Sequence, residues 1–87
     1  ITGGGLPENL PRCLPEGLTV EVEYDAWERP EIFNKIQAAG EIDEEEMRNV
    51  FNLGIGFCLV VPIEVATYIQ EYIKEYGMKS WIIGEVK

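Results

Sequence analysis

The five residues Phe57-Cys58-Leu59-Val60-Val61 constrain the fold of this chain more than any other stretch. They form an unbroken apolar run between the Gly54-Ile55-Gly56 bend and Pro62. A short run of this kind reads as a strand buried on both faces, the pattern of an inner strand in an α/β sheet. Such a strand needs hydrogen-bonded neighbours on its edges and cover on both faces. Eighty-seven residues with 46% hydrophobic content make a single unit, 1–87, with little material to supply that cover.

Two further strands are expected. From Leu18 to Tyr24 apolar and polar residues alternate strictly, with Leu18, Val20, Val22 and Tyr24 on one side, which predicts a strand with one wet face. Trp81 to Val86 reads as the last strand, with Gly84 inside it. Four helices are expected around them. Pro7 suits a first helical turn, and Leu6, Leu10 and Leu14 give one apolar stripe that ends at Pro15 and Gly17, with Pro11 distorting the helix. Pro30 opens a second helix with Ile32, Phe33 and Ile36 facing inward and Gly40 as a left-handed cap. Asp43 and Glu46 form a capping-box start for a third, whose apolar residues are Met47, Val50 and Phe51. Glu44, Glu45 and Glu46 sit in its first turn, where the helix dipole favours negative charge. A fourth runs to Tyr76 with Val65, Ile69, Tyr72, Ile73 and Tyr76 inward and Gly77 as its stop. The expected class is therefore α/β, an α+β sandwich with a small sheet of about three strands and about four helices. So small a sheet leaves an edge unpaired, so further strands are expected from sequence outside these residues or from another chain.

Charge and composition remove several function classes. Seven Lys and Arg against sixteen Asp and Glu give 7 − 16 = −9, which disfavours binding to a phosphate backbone and predicts no nucleic-acid partner. No apolar run approaches the roughly 20 residues of a membrane span, so a soluble chain with no membrane partner is expected. There is no histidine, which removes Ser-His and Cys-His nucleophile pairs, and no catalytic side chain is assigned. Cys13 and Cys58 lie among apolar neighbours without a CxxC pair and read as buried reduced thiols, with no metal site. Most tyrosines and tryptophans fall at core-facing positions. The chain opens on Ile1 and directly on glycines, and reads as a processed or truncated piece.

Two loops are candidates for chemistry. Thr2-Gly3-Gly4-Gly5 runs straight into the Pro7 helix start, and exposed backbone N–H groups next to a helix N-terminus make an anion cradle. Its spacing matches neither GxGxxG nor the Walker pattern, and a plain sharp turn fits equally well. Asn9 adds an amide near the same helix start, as a ligand contact or as a local cap. The second candidate is Phe51-Asn52-Leu53-Gly54-Ile55-Gly56, where Asn52, Gly54 and Gly56 either line a cleft or simply cap the helix and allow the turn. Arg12 anchors either a carboxylate of its own fold or a substrate phosphate.

The block Ile1-Thr2-Gly3-Gly4-Gly5-Leu6-Pro7-Glu8-Asn9-Leu10-Pro11-Arg12, then Glu46-Met47, then Phe51-Asn52-Leu53-Gly54-Ile55-Gly56, and finally Trp81-Ile82-Ile83-Gly84 together resemble the phosphoribosylformylglycinamidine cyclo-ligase (aminoimidazole ribonucleotide synthetase) family. Similarity covers the whole chain, which corresponds to the later half of that family's C-terminal α/β domain. The resemblance implies purine biosynthesis. ATP phosphorylates the formyl oxygen of formylglycinamidine ribonucleotide, an amidine nitrogen closes the ring, and aminoimidazole ribonucleotide, ADP and phosphate leave. It further implies a cytoplasmic homodimer in which ATP and Mg²⁺ are held mainly by an N-terminal domain of the same polypeptide, so this segment alone is expected to be inactive. Substrate contact passes by motif to Thr2, Gly3, Gly4 and Gly5, and to Asn9, Asn52, Gly54 and Gly56. A histidine that relatives carry just before the Thr-Gly-Gly-Gly run would precede Ile1. Asn49-Val50 replaces the Arg-Thr of many relatives, so any contact made by that pair is not carried over. Two alternatives remain: another ATP-using member of the same superfamily, such as formylglycinamidine ribonucleotide synthetase or selenophosphate synthetase, or a non-catalytic acidic interaction module.

Overall fold

The structure, a computed structural model, describes residues 1–87. Helix α1, Gly5–Asn9, leads into a 3₁₀ turn at Leu10–Cys13. Strand β1 is Val20–Val22, followed by α2 at Glu31–Gly40, α3 at Glu44–Val50, α4 at Ile63–Glu75 and strand β2 at Gly84–Val86. The α/β class with four α-helices stands as expected; the sheet has two strands rather than about three.

Local chemistry explains each boundary. Pro11 cannot donate to an α-helical ladder, and the first helix tightens to 3₁₀ there. Asp43 accepts the Glu46 N–H at 2.8 Å, so the N-cap half of the expected capping box is formed, while the Glu46 carboxylate returns no bond to the Asp43 N–H. At the end of α2 the left-handed residue is Glu41 (φ 51°), one position after the glycine expected to hold that role. Ile42 N–H reaches Gln37 O at 3.1 Å and Glu41 N–H reaches Ala38 O at 3.4 Å, a Schellman-type closure that forces the residue after Gly40 into the left-handed well.

β1 and β2 are antiparallel, pairing Val20 with Val86, Glu21 with Glu85 and Val22 with Gly84. Reciprocal Thr19–Lys87 bonds of 2.8 Å and Glu23 N–H to Ile83 O at 2.6 Å extend the ladder beyond the regular strands. Opposed Glu21 and Glu85 repel, and Lys87 Nζ at 2.7 Å from Glu21 offsets this. The core is Leu6, Leu10, Trp27, Met47, Leu53 and Ile55, ringed by Val20, Val22, Tyr24, Phe33, Phe51 and Ile83. It joins α1 and α3 to the face of β1 that the alternation marked as apolar.

The run 57–61 is not a strand. It is extended without a ladder partner, and Phe57 (83% exposed), Leu59 and Val60 face outward. No third strand lies within hydrogen-bonding reach of it, because β1 and β2 pair only with each other. The same lack of cover leaves Leu18, Trp81 and Ile82 exposed, limits β2 to its last three residues, and leaves no residue of α4 buried. Val65, Tyr72 and Tyr76 therefore face solvent, against expectation, while Ile69 and Ile73 are half-buried; Ile32 and Val50 are likewise exposed. A Cα radius of gyration of 14.0 Å exceeds the roughly 12 Å of a fully packed chain this long, as an uncovered apolar layer requires. No helix is long and apolar enough to cross a membrane.

Candidate functional site: two glycine loops on one helix

The two loops singled out from the sequence are brought together by α3. Gly5 is buried with φ 63° and packs on the C-terminal carbonyls of α3, so a Cβ there would fall on Arg48 O and within 2.8 Å of Phe51 O. Ile1 N donates to Gly56 O at 2.5 Å, which closes the far side of the pair. Thr2 and Gly3 are exposed, Gly4 is left-handed (φ 97°), and nothing stands where a Cβ of Gly3 would be.

Asn9 organises the first loop from inside. Its Nδ2 donates to Gly5 O at 2.8 Å and to Thr2 O and Gly3 O at 3.3 Å each. The loop carbonyls are thereby turned toward Asn9, Gly5 N–H is taken by Thr2 O at 3.1 Å, and the N–H groups of Gly3 and Gly4 are accepted by no group of the chain. Two free backbone donors are what an oxyanion or phosphate oxygen requires, and the space beside Gly3 is open, but the exposed Glu8 carboxylate lies over Gly4 and must swing aside before an anion can reach it. Gly5 is spent on packing against α3.

The second loop is a tight bend. Asn52 Oδ1 accepts the Gly54 N–H at 2.8 Å and Ile55 N–H reaches Asn52 O at 3.1 Å, around two successive left-handed residues, Leu53 (φ 57°) and Gly54 (φ 103°). This is the type I′ pattern, with an Asn side chain helping to close it. Gly54 lies against Pro30, whose Cδ would be 2.6 Å from a Cβ at that position. Trp27 Nε1–H donates to Leu53 O at 3.0 Å. Leu53 is fully buried, and its left-handed backbone, strained for a branched residue, is held by that hydrogen bond and by its burial. Leu53 was not foreseen; no residue type in Asn-Leu-Gly announces that the leucine takes the first left-handed position.

Arg12 meets only Glu8, at 3.7 Å on the exposed side of the first helix. The cations that matter are elsewhere. Glu44 accepts both terminal nitrogens of Arg29, at 2.9 and 2.6 Å, and Arg48 Nε at 2.9 Å. The Arg29 hydrogen bonds are the chief reason its carboxyl is pushed down from 4.5 to about 2. Arg48 also stacks on the Tyr24 ring at 4.0 Å, and burial raises the Tyr24 hydroxyl above its usual value. Glu44 is thus an ion-pair centre as well as a first-turn acid. Only the i, i+4 spacing of Glu44 and Arg48 on α3 was a sequence signal for it; nothing in the spacing pointed to Arg29. An open cleft of about 420 Å³ is lined by Val22, Glu23, Tyr24, Asp25, Arg29 and Arg48, none of them from the two loops. Cys13 is exposed, contrary to expectation, because the 3₁₀ turn rotates it off the apolar face; Cys58 is half-buried, and burial raises its thiol pKa. No three His, Cys, Asp or Glu side chains converge to hold a metal.

The profile of the family described as AIR synthase related protein, C-terminal domain, matches residues 1–87, the entire chain. The chain belongs to this family. Relatives named phosphoribosylformylglycinamidine cyclo-ligase include those of Synechococcus sp. strain CC9902, 52% identical over 86 residues, and Prochlorococcus marinus strain MIT 9211, 53% identical over 87. A third, from Pseudothermotoga lettingae, is 48% identical over 86 residues. Each comparison covers 99–100% of this chain and 25–26% of the relative, so the AIR synthase related segment spans about a quarter of the length of the curated relatives it matches.

Proposed function

We propose that this chain is the C-terminal part of the C-terminal α/β domain of a phosphoribosylformylglycinamidine cyclo-ligase acting in purine biosynthesis, and that it supplies one wall of the substrate cleft. The observation that carries the reading is the Asn9-pinned glycine loop, with two unclaimed N–H donors, seated beside the Asn52–Gly56 bend on a chain about half identical to cyclo-ligases. Phosphoryl transfer to a formyl oxygen calls for fixed donors around negative charge more than for a covalent nucleophile. Gly3 N–H is such a donor, with Thr2 beside it, and Gly4 N–H becomes a second when the Glu8 carboxylate that lies over it swings out to solvent. Asn9 acts by holding the loop, and Gly5 and Gly54 by letting the two loops seat closely. Asn52 and Gly56 shape the opposite rim.

In this reading the remainder of the same polypeptide holds ATP and Mg²⁺, a homodimer forms in the cytoplasm, and formylglycinamidine ribonucleotide lies against the wall described here. The preceding part of the polypeptide also covers the exposed 57–61 run and α4. This segment alone turns over nothing. The complete polypeptide is expected to convert formylglycinamidine ribonucleotide with release of one ADP per product; absence of ADP release with that substrate, ATP and Mg²⁺ overturns the assignment.

A further inference from the structure

We infer that the Tyr24–Pro30 segment is a brace that sets the position of the two-loop wall, and that Arg29 is its positioning residue. Four tethers run from this one segment to α3 and the bend that follows it. Arg29 grips Glu44, in the first turn of α3, through a two-bond fork. One turn further on, Arg48 lies on the Tyr24 ring and shares the same carboxylate. Beyond the helix end, Trp27 donates to Leu53 O, and Pro30 abuts Gly54. Tyr24 and Trp27 are themselves in contact, ring centroids 5.8 Å apart, so the tethers share a common base.

Both loops depend on where α3 sits. Its last carbonyls form the seat of Gly5, and the Asn52 bend is its direct continuation. A helix of seven residues has little intrinsic stability and takes its position from its contacts. Glu44 is bound through its carboxylate by two arginines and lies 3.5 Å from Gln37 Nε2 of α2, whereas the exposed Arg12–Glu8 pair fixes nothing beyond its own helix. A planar, five-donor guanidinium can hold both oxygens of one carboxylate and so fix direction as well as distance, which a lysine cannot. Arg29 is the better buried member, its side chain 17% exposed.

The inference rests on the cleft-wall reading above, and its test separates the two. In the complete polypeptide, Arg29→Met, Arg29→Lys and Arg48→Leu are compared with the parent by amide hydrogen exchange and by steady-state kinetics. Arg29→Met is expected to speed exchange about tenfold at Gly5, Gly54 and Ile55 while the Thr19 and Lys87 ladder amides hold their rates. KM for the phosphorylated substrate rises about tenfold with kcat changed much less, since a misplaced wall weakens binding. Arg29→Lys recovers part of both effects, and Arg48→Leu, which leaves the fork intact, gives a smaller version. Uniform acceleration of loop and ladder amides, or an unchanged KM, overturns the brace. A parent polypeptide that releases no ADP sinks the cleft-wall reading, and the exchange pattern then decides the brace by itself.

Discussion

At Gly5 one absent methyl group decides how closely α1 can sit on α3. The residue is buried and left-handed, and the space a Cβ needs is filled by backbone oxygens that cannot rotate away. Gly5→Ala is expected to cost about 2–4 kcal/mol, combining left-handed strain with overpacking. Two residues away, Gly3→Ala, with open space around it, should stay within about 0.5 kcal/mol. Urea denaturation of both variants checks the contrast; equal losses would mean that the loop is not seated as described. Glu44 offers a second test at this scale. Its carboxyl titrates near 2 when folded, below its ordinary 4.5, so on acidification the unfolded chain takes up the proton first. The stability it contributes is fully present above about pH 4.5 and is lost as pH falls toward 2. With the side chain 41% exposed, screening reduces that contribution to roughly 1–2 kcal/mol. The stability gap between the parent and Glu44→Gln should therefore be open at pH 7, much reduced at pH 2.5 and nearly closed at about pH 1.5, below the folded value; a gap that stays at its neutral size in acid would show that ionisation of Glu44 is not its source.

The elements differ in how much of them could be read in advance, and the difference is physical. Helices α2, α3 and α4 announce themselves through local signals that need no partner: Pro30 and Pro62 before their starts, Asp43 bonded to the Glu46 N–H, and Gly77 (φ 79°) after α4. The two glycine loops were legible for the same reason, since their residue types state backbone angles. What α3 does for them was not legible, because the Arg29 fork spans fifteen residues and no spacing rule connects Arg29 to Glu44. Strands are stabilised by pairing, so β1 and β2 shrink to the residues that face each other and the 57–61 run, with nothing to pair with, forms none. The cap of α2 shows the limit of local reading, since a one-residue shift in the closing hydrogen bonds moved the left-handed position to a glutamate. Relieving that position gives a test at this scale: Glu41→Gly is expected to raise stability by about 1 kcal/mol, the strain of a non-glycine residue in the left-handed well. A thermal melt of the variant reads it directly, and a lowered midpoint would show that Glu41 earns its place through a contact.

At the scale of the whole molecule the deciding fact is an apolar layer with no cover. Phe57, Leu59, Val60, Ile63 and Trp81 are all exposed, and burying side chains of this size contributes about 1.5–3 kcal/mol each. Summed, that is comparable with the 5–15 kcal/mol that stabilises a typical domain. A chain with relatives four times its length that leaves so much apolar surface open is therefore expected to owe much of its order to what adjoins it. Pro62, at the end of the 57–61 run, lacks the N–H that edge-to-edge pairing with a second copy would use. Hydroxyl-radical footprinting with peptide mass spectrometry tests the consequence residue by residue. In the 87-residue chain Phe57, Met78 and Trp81 should be heavily oxidised while Leu6, Trp27 and Met47 are spared. In the complete polypeptide Phe57 and Trp81 should become several-fold protected, and Trp27 should not change. Equal oxidation of Phe57 in the two proteins would mean that the preceding sequence does not cover this layer, and the 57–61 run would then owe its apolar character to a partner other than its own polypeptide.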